Sequence, residues 1–371
     1  MSRLDAQLEA RLFELGKALI DQTSARVIVE PQDRSTGFWF GGGNMVQAPN
    51  GDLFVVGRYR NHGDSRTGLG AGARGVELAI FRSVDAGATW EKVLSFDKPS
   101  LNIGDREVLS IEGTAMRWTA DGVELFVSTE KKNVAYPPGL DSYLKPGTGV
   151  WTIEHAIASD VDSLATAEFK TIIESDDPQY VHVKDPFLYE GTDAVGGNLQ
   201  ILFCTHPFCW TSSNTGYMTR TSDSKMQPAV YEVFSRGFTW DVAMTRTTAV
   251  VNVPHVGQFA DISAALVFYD GGECVRNLDE HKSAVNRPRG YSCEELGGLA
   301  YTLNGDLHTI RRLSVLEPSF VSPWGTGCSR YVDVLATENG MYATWQQSQD
   351  DLSQPLVMHH IDQSRIKQIL N

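Results

Sequence analysis

Short runs of alternating apolar and polar residues, cut every few positions by Gly, Asn, Asp or Pro, fill the chain from "RVIVEP" (residues 26–31) onward. A period of two over four to eight residues marks half-buried strands. Helical spacing is confined to the two ends. At the start, "MSRLDAQLEARLFELGKALIDQ" sets Leu4, Leu8, Leu12 and Leu15 on one face of a charge-studded helix, and "DQSRIKQILN" closes the chain with a second helical pattern. The pattern predicts an N-terminal amphipathic helix over residues 1–24 and a single all-β body over 25–371.

Within that body one unit recurs: an apolar strand, a turn rich in Asn, Asp and Gly, then a strand of alternating large residues. It reads "NMVQAPNGDLFVVGRYR" from Asn44, "IEGTAMRWTADGVELFVSTEK" from Ile111 and "DPFLYEGTDAVGGNLQILFCTH" from Asp185. Fainter copies are "DISAALVFYDG" from Asp261 and "YVDVLATENGMYATWQQS" from Tyr331. A repeat of roughly 70 residues holds four strands with long loops, so five copies predict a five-bladed β-propeller. After Tyr331 only "PLVMHHI" remains, which leaves the last blade one strand short. "RVIVEP" is expected to supply it, closing the ring by pairing the beginning of the chain with its end.

At 371 residues, with 42% hydrophobic and 21% charged residues, the chain can bury a large core. Its net charge of −14 argues against nucleic acid or an anionic membrane as partner, since both require basic patches; neutral ligands fit better. No apolar run is long enough to span a bilayer and the start lacks a signal-peptide pattern, so a cytoplasmic location is expected. Five cysteines without a CxxC pair predict neither a disulfide framework nor a zinc ribbon, and Cys204 and Cys209, close to His206, read as small buried residues. No P-loop, HExxH, GxSxG or dinucleotide fingerprint occurs in its required context, and no cofactor or metal is expected.

"SVDAGATW", Ser83 to Trp90, places Ser83 and Asp85 where they can fold back on a turn at Ala86 and Gly87, with Trp90 packing beneath. It matches in full the S-x-D-x-G-x-T-W Asp box of sialidases and related propellers, where the motif lies on an outer turn far from the active site; "SRGFTW", Ser235 to Trp240, is a degenerate second copy. With five blades, the chain resembles the superfamily of arabinanases, β-xylosidases and invertases. Those enzymes carry three acidic residues near the inner strand ends, in motifs such as N-D-P, D-P-x-x-F and E-G-P. "KDPFLYEG", Lys184 to Gly191, and "IEGTAM", Ile111 to Met116, resemble the D-P and E-G motifs. Asn44 stands where that family has its first-blade aspartate, and the E-G motif precedes the D-P motif.

Inner strands of a propeller converge on the axis, where an unpaired buried carboxylate is costly. Glu112 and Asp185, at equivalent places in the second and third units, suit glycoside hydrolysis, which needs one protonated and one ionised carboxyl. Glu294 or Glu295 in "RGYSCEELGG" is the expected third acid, reaching over the funnel from a loop between outer parts of the fourth unit; Glu295 is preferred. "GRYRNHGDSRTG" offers Arg60 and His62 for a ligand, "STGFWFGGGNM" offers Trp39 as a stacking platform beside Asn44, and "CTHPFCW" offers His206 and Trp210 as a pocket wall. Arg330 is expected to pair with Asp185 or with a substrate carboxylate.

These residues predict a glycoside hydrolase acting on a terminal sugar or short oligosaccharide. Two alternatives stand beside it: a propeller polysaccharide lyase, with Arg60 neutralising a uronate and His62 or Tyr59 abstracting a proton, and a non-catalytic lectin. The arginine triad and Tyr-Glu pair of a sialidase are not assignable. A homo-oligomer is expected if the leucine face of the first helix finds no cover on its own blades.

Overall fold

The computed structural model describes residues 3–61, 74–144, 147–191, 197–272 and 295–371. Helix α1 (Ala6–Leu19) starts where the Asp5 side chain accepts the Leu8 N–H, a conventional N-cap. Strand β1 (Arg26–Val29) follows, and five sheets are then laid down in turn.

In the first blade, β2 (Trp39–Gly41) and β3 (Met45–Gln47) are two halves of one innermost strand, both paired with β4 (Leu53–Arg60), followed by β5 (Glu77–Ser83) and β6 (Glu91–Asp97). The second blade is β7 (Val108–Thr119), β8 (Gly122–Lys131), β9 (Val150–Ala158) and β10 (Lys170–Ile173); the third is β11 (His182–Glu190), β12 (Leu199–His206), β13 (Asn214–Arg220) and β14 (Val230–Phe234). The fourth is β15 (Met244–Asn252), β16 (Ala264–Gly272), β17 (Leu296–Leu303) and β18 (Arg311–Arg312). The fifth has β19 (Ser329–Thr337), β20 (Gly340–Gln347) and β21 (Leu356–Asp362), and α2 (Gln363–Leu370) ends the chain. The fold is therefore a five-bladed β-propeller.

Closure occurs as the sequence predicts. β1 supplies the outer strand of the fifth blade, antiparallel to β21, with Arg26 opposite Met358 and Val29 opposite Leu356. One boundary differs. The segment from Asp261 forms the second strand of the fourth blade, β16, and the innermost strand is β15. Buried threonines at positions 245, 247 and 248 make β15 look more polar than its environment, which hid it from a hydrophobicity reading.

The turn between β5 and β6 is a closed polar unit. Asp85 accepts from the Ser83 hydroxyl (2.8 Å), the Thr89 N–H (2.8 Å) and the Thr89 hydroxyl (2.6 Å), while Trp90 Nε1 donates to the Gly87 carbonyl (3.0 Å). Arg26, on the closing strand, donates to the carbonyls of Gly87 and Ala88. The turn thus joins the first blade to the strand that completes the fifth.

Helix α1 lies across the fourth and fifth blades and against α2. Leu4, Leu8, Leu12, Leu15 and Leu19 are all buried, in one core with Leu299, Tyr301 and Trp345 of the blades and Ile366 and Ile369 of α2. Of the two covers open to the leucine face, its own blades or a neighbour, the structure shows the first. No helix among the described residues is long and apolar enough to cross a membrane.

Candidate active site

All five innermost strands break at one level of the axis. β2 and β3 are separated by residues 42–44, and the registers of the other four shift between Ile111 and Thr114, Lys184 and Phe187, Thr247 and Ala249, and Arg330 and Asp333. Such a bulge bends the strand and re-aims side chains that would otherwise alternate between neighbouring blades. Asp185 and Tyr331 adopt positive φ at this level (55° and 52°), a conformation bulky residues take only when their surroundings enforce it. Two glycines make room. A Cβ on Gly42 would stand 1.7 Å from Arg58 Nη1, and one on Gly113 would stand 2.6 Å from the Asp185 Cα.

The side chains gathered there form a continuous charged network. Arg58, from β4, donates to the Gly41 carbonyl (2.9 Å), to the Tyr331 hydroxyl (3.1 Å) and to Glu112 (2.5 Å). Asp185 accepts from the Gly113 N–H (2.9 Å), from Arg246 (3.0 Å) and from the Tyr331 hydroxyl (3.4 Å). Arg246 also binds Asp270 (2.6 Å) and Glu295 (3.0 Å), and Asp270 accepts the Tyr331 N–H (3.1 Å). Arg330 completes the ring on Glu295. Lys184 Nζ lies 4.0 Å from Asp185 Oδ2.

The hydrogen-bond path from Glu112 through Arg58 and Tyr331 to Asp185 has steps of 2.5, 3.1 and 3.4 Å. It keeps the two carboxylates inside the roughly 9.5 Å limit at which paired glycosidase acids operate. Beneath the ring, Gly43, Thr114, Asp185, Thr247 and Tyr331 line a cavity of about 20 Å³, room for about one water.

Burial alone would raise every one of these carboxyls, and the cations decide which way each moves. For Glu112, burial is outweighed by Arg58 and then Lys184, and its pKa falls below the ordinary value. Asp185 is driven well below its usual range because Lys184, Arg246 and Arg58 together overcome its burial. Glu295 is lowered against burial by Arg246 and Arg330. Asp270 goes the other way, pushed up to about 6 by burial and by neighbouring Glu295 despite Arg246.

The structure brings Glu112, Asp185, Glu295 and Arg330 together and corrects several other expectations. Glu295 does not hang from an outer loop: it immediately precedes β17 and is buried at the axial end of that strand. Arg330 pairs with Glu295, not with Asp185. Trp39 is no open platform. It is 6% exposed, and the guanidiniums of Arg58, Arg330 and Arg60 lie 4.4, 5.0 and 5.9 Å from its ring. Both amide atoms of Asn44 bind the Met116 backbone (2.8 and 2.9 Å) and tie the first blade to the second.

Arg60 ends β4 beside that tryptophan, while His62 and Glu294 lie outside the described residues. The rings of His206 and Trp210 meet at a tilt of 36° (centroids 4.5 Å apart) beside the third blade; His206 Nδ1 faces the Ser212 carbonyl (3.0 Å) and Nε2 faces Cys204 (3.7 Å). Cys204 is buried, as expected of a small strand residue, and its thiol also points at Asp185 (3.6 Å). Among the described residues no three His, Cys, Asp or Glu side chains converge as a metal ion would need.

Sequence reasoning missed Arg246, Asp270, Lys184 and the role of Tyr331. Arg246 and Asp270 are directly opposed across β15 and β16, a relation that no linear pattern displays. Finding it required placing β15 correctly.

No protein-family model matches the chain, and a search of curated proteins finds no match. Solved structures do resemble it in fold. A protein described as a glycoside hydrolase superposes with a TM-score of 0.59 at 12% identity, covering 96% of both chains. A thermostable family-43 glycoside hydrolase gives 0.56 at 10% identity over 90% of this chain and 92% of its own. An α-L-arabinofuranosidase from Lactobacillus brevis gives 0.52 at 8% identity over 93% of each. At such identities the likeness concerns the fold.

Proposed function

We propose that this propeller is a glycoside hydrolase acting on a terminal sugar or short oligosaccharide at the axial cluster. The observation that carries the reading is the approach of Glu112 and Asp185, from adjacent blades, across Arg58 and Tyr331. Folds shared with glycoside hydrolases support it by analogy.

Asp185 is saturated by Arg246, Tyr331 and a backbone N–H and stays ionised, suited to stabilising positive charge that develops at the anomeric carbon. Glu112 is 12% exposed at its side chain and, among the described residues, forms one ion pair, to Arg58. Held below its ordinary value, it is the proton donor at acidic pH: its proton passes to the glycosidic oxygen as the bond from that oxygen to the anomeric carbon breaks, water adds its oxygen to that carbon, and the proton the water releases restores the Glu112 carboxyl. Glu295, gripped by two arginines, holds Arg246 and Arg330 in place. The turn at residues 83–90 serves as an Asp box, a structural clasp remote from this chemistry.

Tyr59 does not support the lyase alternative. It packs against Phe40, and burial raises its hydroxyl to about 12, so it is a poor base. A panel of aryl glycosides followed by oligosaccharides tests the proposal, with Glu112→Gln and Asp185→Asn as controls. Turnover by the parent and a loss of about 100-fold or more in each variant is expected. Sugar binding without turnover would make the chain a lectin, and parental rates in both variants would dismiss the assigned acids.

A further inference from the structure

Lys184 is a cation of the axial cluster that lowers Asp185 and Glu112 by charge alone, without a hydrogen bond of its own among the described residues. Its side chain is 14% exposed, yet its ammonium, with three donors, makes no hydrogen bond to any described residue. The nearest carboxylate oxygen, Asp185 Oδ2, is 4.0 Å away and already accepts from Arg246 and Tyr331. Glu112 is bound by Arg58, and Asp270 and Glu295 are bound by Arg246. Asp185 and Glu112 outweigh its burial and keep it charged, while its three donors stay available to a ligand.

Its surroundings indicate what that partner is. The ammonium sits between the rings of Trp151 and Trp210, 5.5 and 5.7 Å from their centroids. Trp210 is half-exposed and held at φ 56°, a strained backbone for so large a side chain and typical of ligand clamps. Trp151 is buried and Trp210 packs on His182 and His206, so the exposed part of Trp210 is the aromatic surface beside this charge that suits a sugar ring carrying an acid group. We infer that the funnel selects a carboxylate-bearing sugar, with the carboxylate on Lys184 and the ring against Trp210. This substrate class rests on the hydrolase reading for its chemistry, and it reverses locally the preference for neutral ligands that the net charge implies.

Binding tests it without any need for turnover. The full chain is titrated calorimetrically with glucuronate and galacturonate, and with glucose and galactose, at low and high salt. The acidic sugars should bind about ten-fold tighter or more, an advantage that shrinks as salt rises. Lys184→Met should abolish the advantage and Lys184→Arg should retain most of it, with both variants melting as the parent does. Equal affinity for acidic and neutral sugars, no detectable binding of either acid, or selectivity preserved in a folded Lys184→Met would each overturn the inference. The aryl glycoside panel separates the two proposals. Selectivity that depends on Lys184 without hydrolysis of any glycoside defeats only the hydrolase, whereas hydrolysis of neutral glycosides with no acid preference defeats only this assignment.

Discussion

Arg58 shows how one residue can set the chemistry of another. Its guanidinium is almost fully buried and is the first cation to oppose the effect of burial on Glu112. With the donor held below its ordinary value, activity should favour acidic pH and fall as the medium becomes more alkaline. Arg58→Met leaves burial dominant, so the Glu112 pKa should rise and the descending limb of the kcat/KM profile should move to higher pH. A limb that stays put would remove Glu112 from the donor role. Asp85 provides the contrasting case. Its three hydrogen bonds shape a turn that Arg26 clasps, so Asp85→Ala should lower Tm in a thermal melt while leaving kcat/KM unchanged.

Strands and their junctions decide how much of this was legible beforehand. Alternation and turn chemistry are local, which is why the blades, the 83–90 turn and the closing strand could be read from residues alone. Glu112 and Asp185 were visible because each lies beside a Gly or Pro in a recurring motif. Arg246 and Asp270 were not, since their meaning depends on a cross-strand register that no linear pattern displays. Asn44 misled for a related reason: an amide beside the axis suits a ligand or a neighbouring backbone equally well until the blades are in place.

The junction between β19 and β3 carries a buried carboxyl of its own. Asp333 accepts the Met45 N–H (2.8 Å) and burial pushes it up to about 7. A carboxyl raised in the folded state opposes folding above that value, and the penalty fades as pH falls towards the ordinary value near 4. Asp333→Asn keeps an acceptor without the charge. It should melt above the parent at pH 8, with the gap narrowing by pH 5 and closing below about pH 4; an equal gap at pH 8 and pH 5 would show that ionisation is not the cause.

For the whole molecule, stability is tied to the ends of the chain. Leu12 is fully buried beneath the two blades that α1 crosses, and Leu12→Ala should cost about 2–5 kcal/mol, measured by denaturant unfolding. Removing residues 1–30 should be worse than the loss of a helix, because β21 would be left with an open edge; aggregation on gel filtration is the expected result.

The same seam constrains how the chain is made. Residues 26–29 leave the ribosome long before residues 356–358, their partners, so a nascent chain carries β1 unpaired until β21 follows. The axial charges, drawn from all five blades, cannot all find their counterions sooner. Assembly of the axial cluster therefore waits on the fifth blade, and slow pairing of strands far apart in sequence should time the closing of the ring.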